Sequence, residues 1–183
     1  PMSLVSPRLV TPGGEVEFAG SMLDLSDGRI GRRVRSTAAD VIAWLPATCL
    51  AAHRDLLERV GGFDEPYFLY WEDVDFSYRC SQAGAQLLVR DDLTVVHAGR
   101  GTQRPEGRPA KSNLYYRYNC RNRLLFAARR LPRRDVARWM LRTPVVSWRI
   151  LLQGGRRQLL HSPRPLLATV AGSLAGLAIA ARA

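Results

Sequence analysis

The 183-residue sequence has almost no lysine and few cysteines. Lys111 is the only lysine among 27 basic residues, and the remainder are arginine. The three cysteines, Cys49, Cys80 and Cys120, are an odd number and include no C-x-x-C pair. This spacing argues against a disulfide framework or a zinc site. We therefore expect small, buried cysteine side chains in a protein of a reducing compartment.

Long hydrophobic runs are also missing. The apolar segment 166–181 has 16 uncharged residues, fewer than the roughly 20 that a helix needs to span a bilayer. Its high content of alanine and glycine makes it only weakly hydrophobic, so it favours a helix that lies on a membrane or docks on the protein. The first ten residues contain no basic stretch followed by an apolar run, so no signal peptide is predicted.

Acidic residues are scarce in the second half of the chain. Residues 1–98 contain nine basic and 14 acidic groups, a net charge of −5. Residues 99–183 contain 18 basic groups and only Glu106 and Asp135 as acids, a net charge of +16. Arginine binds phosphate groups through two parallel hydrogen bonds. Such a surface suits anionic lipid headgroups or nucleic acid, and charge alone does not choose between them.

The first hundred residues show alternating strand and helix patterns. Strands are predicted at 5–10, 15–19, 41–45, 48–52, 86–90 and 93–97. A polar loop is predicted for 24–40, and a short helix for 53–60, ended by Gly61-Gly62. A second helix is predicted for 75–83, with Asp75 as its N-terminal cap. This alternation indicates an α/β fold.

The period changes to that of helices after Ser112. That residue is a plausible N-cap for a helix that Pro132 ends, and two shorter helices are predicted for 134–141 and 145–152, bounded by Pro144. Basic helices with Trp139 and Trp148 suit a membrane interface. Because aromatic residues are interleaved with arginine, a nucleic-acid-binding module stays open as an alternative.

Three carboxylates lie close together in Glu72-Asp73-Val74-Asp75, directly after two aromatic residues. Acids in apolar surroundings tend to have raised pKa values, as a general base requires. The same residues are also candidates for metal ligands or for helix caps. As nuclease-type acids they would need further carboxylates, which the sequence does not place nearby. His97 ends a predicted strand and is either structural or a ligand. It precedes a glycine-flanked turn with Arg100 and Thr102 that suits phosphate oxygens.

Several motifs occur in order between residues 61 and 97: Gly61-Gly62-Phe63-Asp64-Glu65, Phe68-Leu69-Tyr70-Trp71-Glu72-Asp73-Val74-Asp75, Arg79, Ala83-Gly84 and Val95-Val96-His97. Together they resemble the second half of a family two glycosyltransferase with the GT-A fold. The similarity is greatest to the rhamnosyl- and galactofuranosyl-transferase group of bacterial cell-wall polysaccharide assembly. It covers about residues 3–102.

The resemblance implies an α/β architecture in two parts. Residues 1–104 would form the acceptor-side, C-terminal half of a GT-A (Rossmann-like) mixed-sheet domain, and 105–183 a basic, membrane-associating helical region. The implied partners are a nucleotide-sugar donor, a polyprenyl-linked or glycan acceptor and an anionic membrane surface. The implied location is the cytoplasmic face of the plasma membrane, either peripheral or tail-anchored.

The resemblance also implies roles for single residues on the acceptor side. Asp73 matches the catalytic base, which deprotonates the acceptor hydroxyl for an inverting displacement at the anomeric carbon. Glu72 is the other acid of that motif and would bind or orient the acceptor. Trp71 and Trp44 would be acceptor-binding surfaces.

Further matched residues belong to the diphosphate side of the site. His97 matches a histidine that completes a metal site, which implies Mg²⁺ or Mn²⁺ as cofactor. Arg100 and Thr102 would close over the nucleotide diphosphate.

The sequence departs from the family pattern in two places. Pro46-Ala47 stands where relatives commonly have a step with glycine or serine, so we expect a different acceptor pocket. The nucleotide-binding half with its Asp-x-Asp metal motif has no counterpart among these residues, and Asp24-Leu25-Ser26-Asp27 has the wrong spacing to replace it. We expect that half to lie upstream of Pro1. A membrane-bound scaffold without catalytic activity stays open as an alternative.

Overall fold

A computed structural model describes residues 2–31, 40–98 and 111–183. These residues form two compact units. The first unit comprises residues 2–25, 29–31, 40–68 and 72–98, and the second comprises residues 26–28, 69–71 and 111–183. Strands and helices both occur in the first unit, whereas the second is helical. The predicted mixed α/β fold is confirmed at this level.

The first unit is built around strand β1 (Ser3–Val10). Strands β2 (Val16–Phe18) and β6 (Ala51–Ala52) pair with it in antiparallel orientation, and β7 (Gln86–Val96) pairs with it in parallel. The result is a four-stranded mixed sheet. Hairpins alone cannot produce the parallel pair of β1 and β7, because parallel strands need a crossover connection.

Strand β7 continues through the segment that was predicted to separate two strands. The register of β1 against β7 shifts between Pro7 and Arg8, which face Arg90 and Thr94. Proline has no amide hydrogen to give to a ladder, so it is tolerated at such a bulge. The Arg8 guanidinium donates to the carbonyl of Asp91 at 2.7 Å. This contact and the bulge accommodate the two aspartates within one strand.

A second, antiparallel sheet has the order β4-β3-β5. Its strands are β3 (Ser21–Asp24), β4 (Arg29–Gly31) and β5 (Val41–Trp44). The polar loop predicted for 24–40 was therefore wrong at 29–31, where Arg29 and Ile30 pair with Asp24 and Leu23. Residues 32–39 of that prediction lie outside the described ranges.

Two helices complete the first unit. Helix α1 (Arg54–Val60) begins after His53, whose ring accepts from the Asp55 amide, and it ends at Gly61 in the left-handed conformation. Helix α2 (Glu72–Gln82) begins three residues before the predicted start. In the part of the chain that the structure describes, one hydrophobic cluster of this unit contains the buried residues Leu4, Leu45, Leu56, Phe76, Cys80 and Ala85.

The second unit contains helices α3 (Asn113–Arg130), α4 (Arg133–Leu152), α5 (Gln158–His161) and α6 (Arg164–Ala180). The Ser112 hydroxyl caps α3 by accepting from the Tyr115 amide, as predicted. In contrast, α4 is one helix that continues through Pro144. Buried Trp139, Thr143, Val146 and Leu151 form a continuous stripe across that proline, and their burial outweighs the one helical hydrogen bond that proline removes.

A buried arginine holds the turn of residues 26–28 in the second unit. The Arg123 guanidinium donates to the carbonyls of Asp27 and Trp139 and stacks on the Trp139 ring at 4.9 Å. Burial lowers the Arg123 pKa to about 10, so the group stays charged at neutral pH. A Cβ atom on Gly28 would lie 2.6 Å from that indole, which explains glycine at this position.

No helix in the part of the chain that the structure describes is long and apolar enough to cross a membrane. All three cysteines are free; Cys80 and Cys120 are buried and Cys49 is partly buried. The expectation of small, buried cysteine side chains is confirmed for Cys80 and Cys120 and only in part for Cys49.

Candidate active site

The backbone directly before helix α2 has an unusual conformation. Tyr70 and Trp71 have φ angles of 64° and 75°, in the left-handed region that side chains other than glycine rarely adopt. Each such residue costs about 1–3 kcal/mol and persists only where its surroundings fix it. Strain of this kind clusters at functional sites. Two strained residues in succession therefore mark the α2 start as a candidate site.

The side chain of Asn122 on α3 fixes this segment. Its amide nitrogen donates to the carbonyls of Leu69 and Tyr70, each at 2.8 Å, and its oxygen accepts from Arg121. Asn122 is fully buried, so these bonds satisfy its amide where water cannot. Sequence reasoning missed this residue, although an asparagine on the buried face of an aromatic-rich helix is a signal for such a role.

Replacing Asn122 with alanine is expected to lower the free energy of unfolding by about 2–4 kcal/mol, because two buried carbonyls lose their donors. Urea denaturation followed by circular dichroism measures the change. Asn119→Ala is the matched control. Among the described residues its amide donates to the carbonyl of Tyr115 in its own helix, so a loss below about 1 kcal/mol is expected. Equal losses in the two variants would contradict the anchoring role.

The ring of Trp71 lies inside the second unit. It is 3% exposed and packs against Phe126 and Trp139, with ring centroids at 5.6 and 6.2 Å. A ring enclosed in this way stabilises its unit by burial of apolar surface. The expected role of Trp71 as an acceptor-binding surface stays a prediction, and the enclosed position of its ring gives that role no support.

Asp73 lies in the first turn of α2 with its carboxylate partly buried. One oxygen accepts from the Val74 amide at 2.8 Å and the other from the Ala47 amide at 3.4 Å. Burial, assisted by the negative charge of Glu72, raises the pKa of Asp73 to about 7, against the opposing effect of those two amides. A carboxylate with this pKa can take up and release a proton near neutral pH.

Glu72 is the first residue of α2 and is partly buried. Burial also raises its pKa. Its Oε2 atom is buried and has no hydrogen-bond donor among the described residues. A buried acceptor without a donor is costly, so this oxygen is suited to a hydroxyl group of a ligand.

The third acid has a different environment, and its predicted role as a helix cap was wrong. Asp75 is a fully buried residue within α2 rather than before it. Its carboxylate accepts from the Tyr67 hydroxyl at 3.2 Å and from Arg79 Nε at 2.8 Å. The Arg79 guanidinium also donates to the carbonyls of Val60 and Gly62. This network joins α2 to the end of α1. Asp75 is thus used in structure, and Asp73 and Glu72 remain as the acids that are candidates for chemistry.

Trp44 lies on β5, three residues before Ala47, and lines a groove of about 380 Å³ in the first unit. The groove is mainly apolar, and its other lining residues come from three segments: Ala19, Gly20, Ser21, Met22, Ala43, Leu45, Leu87 and Val89. The Trp44 ring packs on Phe18, and its Nε1 is buried without an acceptor among the described residues. A ring and a donor at a groove suit a sugar or an apolar aglycone.

His97 follows β7 and contacts Glu17, with 2.7 Å between Nδ1 and Oε2. Within residues 2–31, 40–98 and 111–183, no group of three histidine, cysteine or acidic side chains is arranged to hold a metal. Two ligands do not satisfy a divalent cation that takes about six. The described residues therefore do not form a metal site on their own. Arg100 and Thr102 lie outside the described ranges.

Comparison with known proteins gives partial similarities. Over 56 residues, 31% of this chain, it is 41% identical to N-acetylglucosaminyl-diphospho-decaprenol L-rhamnosyltransferase from Mycobacterium tuberculosis, covering 18% of that protein. Over 105 residues, 54% of this chain, it is 30% identical to pre-mycofactocin glycosyltransferase from the same species, covering 21% of it. No family model and no solved structure matches. The chain spans about a fifth of the length of these relatives, and over those segments it is similar to glycosyltransferases.

Proposed function

We propose that this chain is the acceptor-side part of an inverting glycosyltransferase with a GT-A fold. It would transfer a sugar from a nucleotide-sugar donor to a lipid-linked or polysaccharide acceptor of a bacterial cell wall or surface. The observation that supports this most is the Asp73 carboxylate, held by two backbone amides directly after two strained residues, with its pKa raised to about 7. Similarity to two glycosyltransferases is consistent with it.

Asp73 acts as the general base in this proposal. Its ionised carboxylate takes the proton of an acceptor hydroxyl, and the acceptor oxygen forms a bond to the anomeric carbon of the donor sugar. The bond between that carbon and the diphosphate oxygen breaks on the opposite side, so the configuration inverts and a nucleoside diphosphate leaves. Asp73 then releases the proton to water. The products are the glycosylated acceptor, the nucleoside diphosphate and one proton.

Glu72 and Trp44 position the acceptor. The buried Glu72 oxygen without a donor accepts from a second hydroxyl of the acceptor sugar, and the Trp44 ring packs against its apolar face. The Ala47 amide, which bonds Asp73 at 3.4 Å, aims the base. Ala47 belongs to the Pro46-Ala47 step at which this sequence departs from its relatives, so this step would be a determinant of acceptor choice.

The proposal extends to a divalent cation, Mg²⁺ or Mn²⁺, at the diphosphate. His97, with Glu17 beside it, is the described residue proposed to contribute to it. No step above depends on this cation. Arg100 and Thr102 are proposed to contact the diphosphate, and the location proposed is the cytoplasmic face of the plasma membrane.

A transfer assay with the complete gene product tests the function. The protein is incubated with radiolabelled nucleotide sugars, rhamnose and galactofuranose included, and with a polyprenyl-diphosphate-linked N-acetylglucosamine or a glycan acceptor. We expect label in the acceptor and release of one nucleoside diphosphate per sugar. Absence of transfer from every donor, in a folded protein that binds neither substrate, would contradict the proposal.

The pH dependence of the reaction provides a further prediction. Because Asp73 must be ionised, kcat/KM for the acceptor is expected to rise about tenfold per pH unit below pH 7 and to level off above it. Glu72→Gln removes a like charge that raises the Asp73 pKa, so the rising limb should move to lower pH. Initial rates between pH 5 and 9 at saturating donor measure both effects. If the rising part of the pH profile does not move in Glu72→Gln, the ionisation behind it belongs to a group other than Asp73.

A further inference from the structure

Helix α4 has apolar residues on its outer face as well as on the face that is buried. Leu141, Val145 and Trp148 are 82%, 49% and 51% exposed. Their spacing of four and three residues places them on one side of the helix. The opposite side contains the buried stripe through Trp139 and Thr143. Burial within the second unit therefore uses only one of two apolar faces of α4.

Neighbouring helices of the same unit add to this exposed surface. Leu160 at α5 is 85% exposed, and α6 exposes Leu167, Val170 and Leu174 at spacings of three and four residues. The α6 side that faces the bundle is lined by small residues and packs on α3. Single exposed leucines are ordinary. Seven large apolar side chains exposed on three consecutive helices indicate a binding face.

The charge around this surface is of one sign. Residues 111–183 contain 15 basic groups and one acid, Asp135, a net charge of +14. That acid already pairs with Arg138 at 3.1 Å and lies 3.7 Å from Arg134. Further arginines are exposed on α4, between α4 and α5, and at the start of α6: Arg142, Arg149, Arg156, Arg157 and Arg164.

Arginine beside an exposed tryptophan and leucines matches the chemistry of an anionic bilayer surface. The leucines enter the boundary between headgroups and acyl chains, and arginines contact lipid phosphates. Nucleic acid would satisfy the arginines but offers aliphatic side chains no apolar phase. Of the aromatic residues that lie among the arginines of this unit, Tyr116 and Trp139 are fully buried and are not accessible for stacking on bases.

We propose that the outer faces of α4 and α6 dock this chain on an anionic phospholipid surface, with Leu141, Val145 and Trp148 inserted at the level of the headgroups. The inference specifies the residues of the membrane contact and is independent of catalysis. It assigns Trp148 to lipid and Trp139 to the protein core, two residues that the sequence alone placed together at the interface.

Sedimentation with sucrose-loaded vesicles tests the docking face. Vesicles of phosphatidylcholine with about 30 mol % phosphatidylglycerol are expected to retain the protein, and pure phosphatidylcholine vesicles to retain at least about tenfold less. The double variant Leu141→Gln/Trp148→Gln should lower the partition coefficient on anionic vesicles at least about tenfold. Phe68→Gln replaces an apolar residue of the first unit that is also exposed, at 72%, and should leave the partition coefficient unchanged.

Fluorescence gives a second readout that folding defects do not imitate. Lipids brominated on the acyl chain close to the headgroup should quench part of the tryptophan emission, and Trp148→Phe should abolish that quenching. Circular dichroism melting confirms that each variant is folded. The proposal is overturned if the protein does not sediment with anionic vesicles, if Phe68→Gln weakens binding as much as the double variant, or if the chain is retained on RNA or DNA but not on lipid.

Discussion

Changing Asp73 to asparagine is expected to lower the rate of glycosyl transfer about 10²- to 10⁴-fold, the range that a general base contributes. The amide keeps the shape of the carboxylate, and its one oxygen can still accept from the Val74 amide. The long bond from the Ala47 amide is lost, and the side chain cannot take a proton. Because acceptor contacts remain, the loss should fall on kcat rather than on KM. Initial-rate measurements over a range of acceptor concentrations separate the two constants.

The same variant should be more stable than the natural protein at high pH. Since the fold raises the Asp73 pKa from 3.8 to about 7, the native state retains a proton that the unfolded chain releases. Ionised Asp73 therefore reduces stability progressively as pH rises from about 4 to about 7, and fully above that. Asp73→Asn should raise the melting temperature at pH 8, with a gain that shrinks toward pH 4. If Asp73 is a catalytic carboxylate, Asp73→Asn should lose activity and gain stability.

Asp55→Asn is a matched control, because it changes an exposed aspartate in the first turn of α1. Neither activity nor the melting temperature at pH 8 should change appreciably in this variant. A full transfer rate in Asp73→Asn would eliminate Asp73 as the base, and a loss of stability together with activity would assign it a structural role.

Changing Gly172 to alanine is expected to unfold the helical second unit, at a cost of at least about 4 kcal/mol, the range of the severest single substitutions. A Cβ atom there would lie 2.1 Å from the carbonyl oxygen of Arg117 and 2.8 Å from its carbon. Both are backbone atoms of α3, so no side-chain rotation relieves the overlap and the two helices must separate. Thermal unfolding followed at 222 nm by circular dichroism measures the loss.

Gly176 lies one turn later on the same face of α6 and provides the control. Its Cβ would be 3.0 Å from the Arg121 carbonyl oxygen and from a methyl of Leu124, a contact that a small shift relieves. Alanine also favours helix over glycine by about 1 kcal/mol, so Gly176→Ala should change stability by less than about 1 kcal/mol. If Gly172→Ala unfolds at the temperature of the natural protein, the close approach of α3 and α6 is wrong.

Local signals in the sequence predicted the ends of several elements. Ser112 caps α3, Pro132 follows its end and Gly61 ends α1, since each of these residues acts through its own backbone or a near neighbour. Predictions failed where contacts with residues far away in the sequence determine the local structure. The continuity of α4 through Pro144 depends on the burial of Trp139 and Val146, and neither an uninterrupted β7 nor its bulge is evident without knowing that β1 lies beside it.

The acids of the candidate site could be predicted from the sequence, but the residues that fix the backbone before them could not. Acids beside aromatic residues, together with the resemblance, singled out Asp73 and Glu72. Nothing near Tyr70 and Trp71 in the sequence indicates that both are left-handed, because residues with side chains rarely adopt that conformation. The anchor is Asn122, more than 50 residues away, and only tertiary structure brings such residues together.

The position of β1 in its sheet determines when the sheet can be completed during synthesis. Its antiparallel partners β2 and β6 emerge from the ribosome before its parallel partner, which begins at Gln86 opposite Ser3. At about 5–20 residues per second, the synthesis of Gln86 follows that of Ser3 by roughly 4–17 seconds. Throughout that interval one edge of β1 is an unpaired template for other nascent chains. Strand β1 is made before its partners in this sheet and is fully paired only once β7 has emerged, so aggregation competes with folding most strongly before that point.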